Sequence, residues 1–314
     1  MIIILFLLIL LLLLLYFSNL KFSSSISIIV FTLFVLNLIV KIFQTNIKDS
    51  TDYLSYESAF NTIANLNFIE MFKTNIFEIM FRIISWCFVN LFQDSTFIIF
   101  IILINIILSI SIYRFFNDKI LSVFSLLLYT YSPMFFYMST NILRQMLVVS
   151  IILFVLTLKK ERKWISFLFP TIHFSSIVFI IFMFFHKYVK VKYFVYVSAI
   201  SLLLFVTNLN SKIFSSLPIV SEYSSQQFFE NYGNQPNRFD FLIFTIFIII
   251  LCFVLYKFKL ISILWLKYSL FTASYYFIFA FQAFSERYAI YNWILFIFLI
   301  PLLLEAIKRR LTYK

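Results

Sequence analysis

The sequence predicts an all-α polytopic membrane protein, a single integral-membrane domain over 1–314, and three observations carry that prediction. Of its 314 residues, 63% are hydrophobic and 12% charged, against about 45–50% and about 25% in soluble domains. Apolar runs near the length of a bilayer crossing, about 20 residues each, follow one another along the chain, enough for about nine to eleven transmembrane helices. Too little polar chain remains between them for a soluble domain. A cytosolic enzyme and a secreted module are both excluded.

The elements follow in chain order. The first run, 1–17, lacks a basic n-region and a small-residue cleavage site, so it reads as a retained span. A second run covers 26–43, and a polar outer loop follows at about 44–75. The run 76–92 carries Glu78, Arg82 and Ser85 on one helical face. Two charges near mid-span cost about 2.5–3.5 kcal/mol each, which predicts a helix at the outer surface or lining a cavity. Runs at 97–116, 120–138 and 142–158 read as plain spans. The run 164–185 is interrupted by Pro170 and carries His173, Ser175 and Ser176 at mid-depth. Lys159, Lys160, Arg162 and Lys163 precede it, and Lys187, Lys190 and Lys192 follow it. Both flanks favour the cytoplasm, so a broken or re-entrant helix pair is expected, with His173 at its tip. Broken backbone is tolerated at that depth where protein or a water-filled cavity receives it. Runs at 193–209, 239–256, 268–284 and 288–305 complete the chain, with a second outer loop at about 210–238.

If 76–92 and 164–185 do not cross, about nine true spans remain, with the N-terminus outside and the C-terminus inside. Most of the 25 Lys and Arg then lie on the cytoplasmic side. The net charge of +12 reflects that orientation and not nucleic-acid binding. Letting 76–92 span and moving the 44–75 loop inside satisfies the cations slightly better, and the polar stripe opposes it.

Composition narrows the chemistry. Glycine occurs once, at Gly233, and Phe 46 times, so helix contacts cannot rest on glycine seams. The Phe, Ile, Asn and Lys excess reads as an A/T-rich coding bias. Cys87 and Cys252 have no metal or disulfide spacing. Two histidines, His173 and His186, are too few for a multi-histidine metal site, and neither metal nor cofactor is expected. A Walker loop, a Rossmann fingerprint, HExxH and GxSxG are absent from the sequence, against a nucleotide-driven pump or a zinc protease.

Outer cations run against the positive-inside preference. Arg144, in Asn141-Ile142-Leu143-Arg144-Gln145, opens the 142–158 span behind Asn141 as its expected N-cap. Arg287, in Ser285-Glu286-Arg287-Tyr288, opens the last run. An Arg in a first turn opposes the helix dipole, yet a helix start with a guanidinium suits phosphate. The alternative is an Arg snorkelling to headgroups or pairing with Glu286. His173, ionisable at membrane depth, is a functional candidate by default and suits general-base work. Its alternative is a helix-break histidine bonded to a freed carbonyl. His186 reads as interfacial. Asp52, followed by Tyr53, Tyr56 and Glu57, could orient a base or hold sugar hydroxyls, or serve only in a turn. The 210–238 loop offers Tyr223, Tyr232 and Arg238 to carbohydrate, or to the aromatic belt.

A series of short motifs in order resembles the EpsG-like branch of Wzy-type polysaccharide polymerases over roughly 45–305. Thr51-Asp52-Tyr53 with Tyr56 follows two initial spans, and Glu78 opens a helix. Arg144-Gln145 opens an apolar helix ahead of a short basic turn. His173 with Ser175 stands mid-run, and Arg287 begins the last span. The family usually has Gly before its Thr-Asp-Tyr, where this chain has Ser50. The resemblance implies a glycosyltransferase of the bacterial inner (cytoplasmic) membrane, active on its outer face. It would join oligosaccharide repeat units carried on undecaprenyl pyrophosphate into O-antigen, capsule or exopolysaccharide, using no nucleotide sugar. On that reading Arg144 and Arg287 bind the leaving pyrophosphate. His173 takes the acceptor's proton, and Asp52 orients it or the sugar. Gln145, Tyr53, Tyr56, Glu78, Arg82 and Arg238 are weaker substrate contacts. The implied partners are the lipid-linked oligosaccharide, the bilayer, and a chain-length regulator and flippase of the same pathway, with no nucleic acid. Two other classes stand beside it. One is a flippase or exporter of the lipid-linked sugar, against which the missing two-fold repeat counts. The other is an O-antigen ligase with lipid A core as acceptor.

Overall fold

The computed structural model describes residue 16 and residues 24–160, 162–215 and 236–312. The expected span 1–17, apart from Tyr16, and most of the 210–238 loop lie outside them. Among the described residues all regular structure is helical. The chain divides into two compact units, Met1–Met183 and Phe184–Lys314.

In the first unit, α1 (Ser24–Gln44) is followed by α2 (Tyr53–Ala64), α3 (Phe68–Lys73), α4 (Ile79–Phe92), α5 (Thr96–Phe115), α6 (Lys119–Tyr131), α7 (Pro133–Asn141) and α8 (Leu143–Leu156). Helix α8 is buried on nearly all sides, from Leu143 to Leu156, as befits a central helix that is apolar all round. Helix α5 packs along it, and α2 packs on α4.

The expected single span 120–138 is instead two helices, α6 and α7, bent by 68°. The cause is local. Ser132 adopts an extended conformation, its side chain accepts the Phe135 N–H, and Pro133 takes the first helical position, where a missing N–H costs nothing. Lys41, in the last turn of α1, donates to the Thr130 carbonyl beside this break. Its ammonium lies 4.9 Å from the Tyr131 ring centroid and 4.1 Å from that of Phe136.

The 164–185 run is broken as expected. A 3-10 turn over Lys163–Leu168 leads into α9 (Phe169–Ile172), which carries Pro170 in its first turn. His173 is extended, and a second 3-10 turn, Phe174–Ile177, leads into α10 (Val178–Phe185).

The second unit holds α11 (Val191–Val206), α12 (Leu209–Phe214), α13 (Phe239–Lys257), α14 (Ile263–Phe279), α15 (Ser285–Trp293) and α16 (Phe296–Thr312). Helix α14 is its centre and packs against α11, α13 and α15. It begins at Ile263, ahead of the expected 268. Lys267, now inside the helix, is buried and donates to the His186 carbonyl. His186, expected at the interface, is buried as well.

With so little glycine, left-handed positions fall to other residues: Gln93, Asn208, Asn237 and Lys259 all have positive φ. At the end of α13 the Lys259 N–H bonds the Tyr256 carbonyl and the Leu260 N–H bonds the Leu255 carbonyl. That pairing is a Schellman motif with lysine, at φ 57°, where glycine is usual.

Four described stretches are long and apolar enough to cross a membrane: Ile26–Gln44, Ile79–Phe115, Phe239–Lys257 and Ser285–Arg310. The bent α6–α7 pair makes a fifth. This is fewer than the expected nine to eleven. The other apolar helices, such as Leu143–Leu156 and Val191–Val206, are short: at about 1.5 Å per residue they fall below the roughly 30 Å of a hydrocarbon core.

Candidate active site

The site in the first unit is assembled around Glu78, and the chain spends several devices on holding it. Asn67 and Glu70 form a capping box that starts the short helix α3. Arg82, one turn into α4, reaches back over the connector that follows. Its guanidinium donates to the Phe77 carbonyl, to that of Met71 at 3.1 Å and to that of Phe72 at 3.3 Å. These carbonyls lie at the end of α3 and just ahead of α4, so a buried charge clamps the 71–78 segment. Arg82, a weaker substrate contact in the sequence reading, is committed here to backbone. Glu78 is thereby fixed at the N-cap position of α4.

The Glu78 carboxylate gathers donors from two other parts of the unit. Arg144 Nη1 lies 2.7 Å from Oε2. The Phe174 N–H donates to Oε1 at 2.9 Å, and His173 Nδ1 stands 3.5 Å from the same oxygen. Burial pushes the Glu78 carboxyl up, but His173, the Arg144 charge and the Phe174 amide outweigh it and hold the pKa at about 2. Glu78 is a carboxylate at neutral pH. The Arg144 side chain keeps 30% of its surface open, so an incoming anion can reach it.

Arg144 is the second residue of α8, where a helix's first N–H groups lack intrahelical acceptors. Its N–H points to the Tyr56 hydroxyl at 3.4 Å. The Tyr56 ring is buried among Phe60, Phe77, Phe81 and Phe97. The Arg144 guanidinium lies over Phe77, 5.1 Å from the ring centroid, within cation–π range. Gln145, the next residue, is buried.

Asn141 does not cap α8 as expected. It ends α7, and Ile142 takes the N-cap position without a side-chain cap. The Asn141 Oδ1 instead accepts from Ser50 Oγ at 2.6 Å, Thr51 Oγ1 at 2.9 Å and the Asp52 N–H at 3.1 Å. One amide oxygen thus ties the Ser50-Thr51-Asp52 turn to the α7–α8 break, three residues before Arg144. Ser50 has φ −68° and ψ 132°, a conformation open to any residue, so the turn does not require glycine. Asp52 is half-buried at the head of α2. The Tyr53 hydroxyl donates to Glu57 at 2.7 Å.

His173 has φ −151° and ψ 113° between its two helical turns. Its N–H bonds the Phe169 carbonyl and its carbonyl accepts from the Ser176 N–H and hydroxyl, which fixes the backbone. With Nδ1 toward Glu78, Nε2 is left on the far side of the ring.

In the second unit, Arg287 lies in the first turn of α15, with its guanidinium 4.3 Å from the Phe284 ring centroid. Arg238, the N-cap position of α13, turns its side chain onto Asp240, with Nε 3.1 Å from Oδ1, and stacks over Phe241 at 3.7 Å. Tyr223 and Tyr232 lie outside the described residues. Among the described residues no group of three His, Cys, Asp or Glu is placed to hold a metal.

Sequence reasoning named Glu78, Arg144, His173 and Tyr56 separately and missed their common centre. It also missed the tie made by Asn141, whose place in the Arg144 motif was the available signal. In comparison with known proteins, the family model described as EpsG family matches residues 43–313, most of the chain. No curated protein and no solved structure matches it.

Proposed function

The chain belongs to the EpsG family, and from that premise we propose that it is a membrane polysaccharide polymerase joining oligosaccharide units carried on undecaprenyl pyrophosphate. The observation that carries the reading is the meeting of Arg144, Glu78 and His173, an anion ligand beside an oriented base. The growing chain breaks its bond to the pyrophosphate, and the terminal hydroxyl of a new unit attacks the freed anomeric carbon. Arg144 neutralises the charge that grows on the departing pyrophosphate. His173 Nε2 accepts the hydroxyl proton. Glu78, facing Nδ1, orients the ring and stabilises the imidazolium, the part a carboxylate plays toward histidine in acyl-transfer triads. Asp52, whose N–H is held by Asn141, contacts sugar hydroxyls, with Gln145, Tyr53 and Tyr56 beside it. Arg287 of the second unit is proposed on its own account as a pyrophosphate ligand, with Arg238 a weaker contact there.

The reaction belongs on the outer face of the bacterial cytoplasmic membrane, with 164–185 re-entrant. A chain-length regulator and a flippase of the same pathway are the expected partners. Guanidinium groups on the leaving pyrophosphate supply the charge neutralisation, so chelator treatment should leave polymerisation unchanged. Collapse with chelator and recovery with magnesium would contradict this.

The test is complementation of a polymer-deficient strain of the source organism with wild type, Arg144→Ala, His173→Ala and Arg287→Ala at matched membrane expression. Surface glycan is resolved on a gel. Wild type should give a ladder of chain lengths, and each variant single repeat units. Normal ladders from Arg144→Ala and His173→Ala would overturn the site. Units trapped at the inner leaflet without the protein would indicate a flippase, and unattached polymer a ligase.

A further inference from the structure

The geometry points to Glu78 as an internal occupant of the anion seat, holding against Arg144 the place that a pyrophosphate oxygen takes when substrate binds. Two donors hold this carboxylate, a guanidinium at 2.7 Å and a backbone N–H at 2.9 Å, and an imidazole nitrogen stands 3.5 Å away. A guanidinium, an amide and an imidazole are the donors a phosphate oxygen also recruits. The seat is rigid on every side. Arg82 clamps the connector before Glu78, Asn141 ties the turn ahead of Arg144, and the His173 carbonyl is doubly bonded. The two oxygens divide the work: Oε1 faces His173 and Phe174, whereas Oε2 accepts from Arg144. An arriving pyrophosphate competes for Arg144 and leaves the His173 contact in place.

The consequence concerns release. Once the glycosidic bond to the carrier breaks, the lipid pyrophosphate gains negative charge beside a fixed carboxylate. A like charge in contact weakens binding strongly, so Glu78 expels the product that Arg144 helped to form. The inference rests on the reading of Arg144 as the pyrophosphate ligand.

The test uses the full chain in nanodiscs of phosphatidylcholine, titrated with inorganic pyrophosphate. Glu78→Gln keeps the shape and removes the charge, and should bind pyrophosphate about tenfold or more tightly than wild type. Its turnover in the ladder assay should fall, because His173 loses its carboxylate. A residue needed only for structure would lower binding and turnover together. Adding Arg144→Ala to Glu78→Gln should abolish the gain. Glu78→Asp withdraws the charge by one methylene and should show a smaller gain, which keeps the test available if the glutamine variant fails to fold. Equal or weaker binding in the folded Glu78 variants overturns the seat, whereas the reading of the reaction stands or falls with the Arg144 and His173 ladders. In discs doped with phosphatidylglycerol the gain should persist. Its loss there would give the seat to a lipid headgroup and overturn the pyrophosphate assignment.

Discussion

Removing the Arg82 side chain leaves the Met71, Phe72 and Phe77 carbonyls without their charged donor. Arg82→Ala should cost about 3 kcal/mol, read as a lower unfolding midpoint in detergent and faster hydrogen exchange over 71–78. Arg82→Lys should recover only part, since an ammonium cannot fork across three carbonyls. Glu78 carries a pH signature of its own. Its pKa is held at about 2 against an ordinary 4.5, so the stabilisation is complete above 4.5 and is lost as pH falls through 2. The gap in melting temperature between wild type and Glu78→Gln should therefore be level from pH 6 to pH 8 and close below about pH 4. A gap that closes near neutrality would mean that the carboxylate is not held by Arg144 and the Phe174 amide.

Breaks between helices place the site's side chains, and they differ in how far local sequence announces them. The interruption at His173 follows from Pro170 and the lysines on both sides. The α6–α7 bend follows from Ser132-Pro133, a pair that favours turns but was submerged in the apolar run around it. The meeting of Glu78 with Arg144 crosses 66 residues, and no periodicity or composition in one chain encodes such a distance. Asn141 lay in view but bonds to a turn about 90 residues earlier, where a local reading saw only a cap. Asn141→Ala removes the shared acceptor of three donors and should loosen the Ser50–Asp52 turn. We expect lowered ladder synthesis with membrane insertion intact, and the loss should be larger than for Ser50→Ala, which removes one donor of the three. Asn141→Asp keeps the oxygen and should retain more activity than the alanine variant.

Across the whole chain, helical content and membrane character were legible from composition, and the order of short motifs carried the family. The number of crossings was not, because several helices stop short of a bilayer's thickness and two runs bend or break. Sidedness can be settled by labelling single cysteines introduced at Lys160 and Lys190 in a chain with Cys87 and Cys252 replaced by serine. Both should react with an impermeant maleimide only when the cytoplasmic face is open. One on each side would make 164–185 a simple crossing. Lys259, seated in the Schellman turn at φ 57°, shows what a near-glycine-free vocabulary costs. A left-handed lysine gives up roughly 1–2 kcal/mol that glycine would not, and Lys259 is exposed. Lys259→Gly should raise the melting temperature by about 2 °C. The scarcity of glycine has thereby left slack in the chain, and a protein chemist seeking a sturdier preparation could recover it residue by residue without approaching the chemistry.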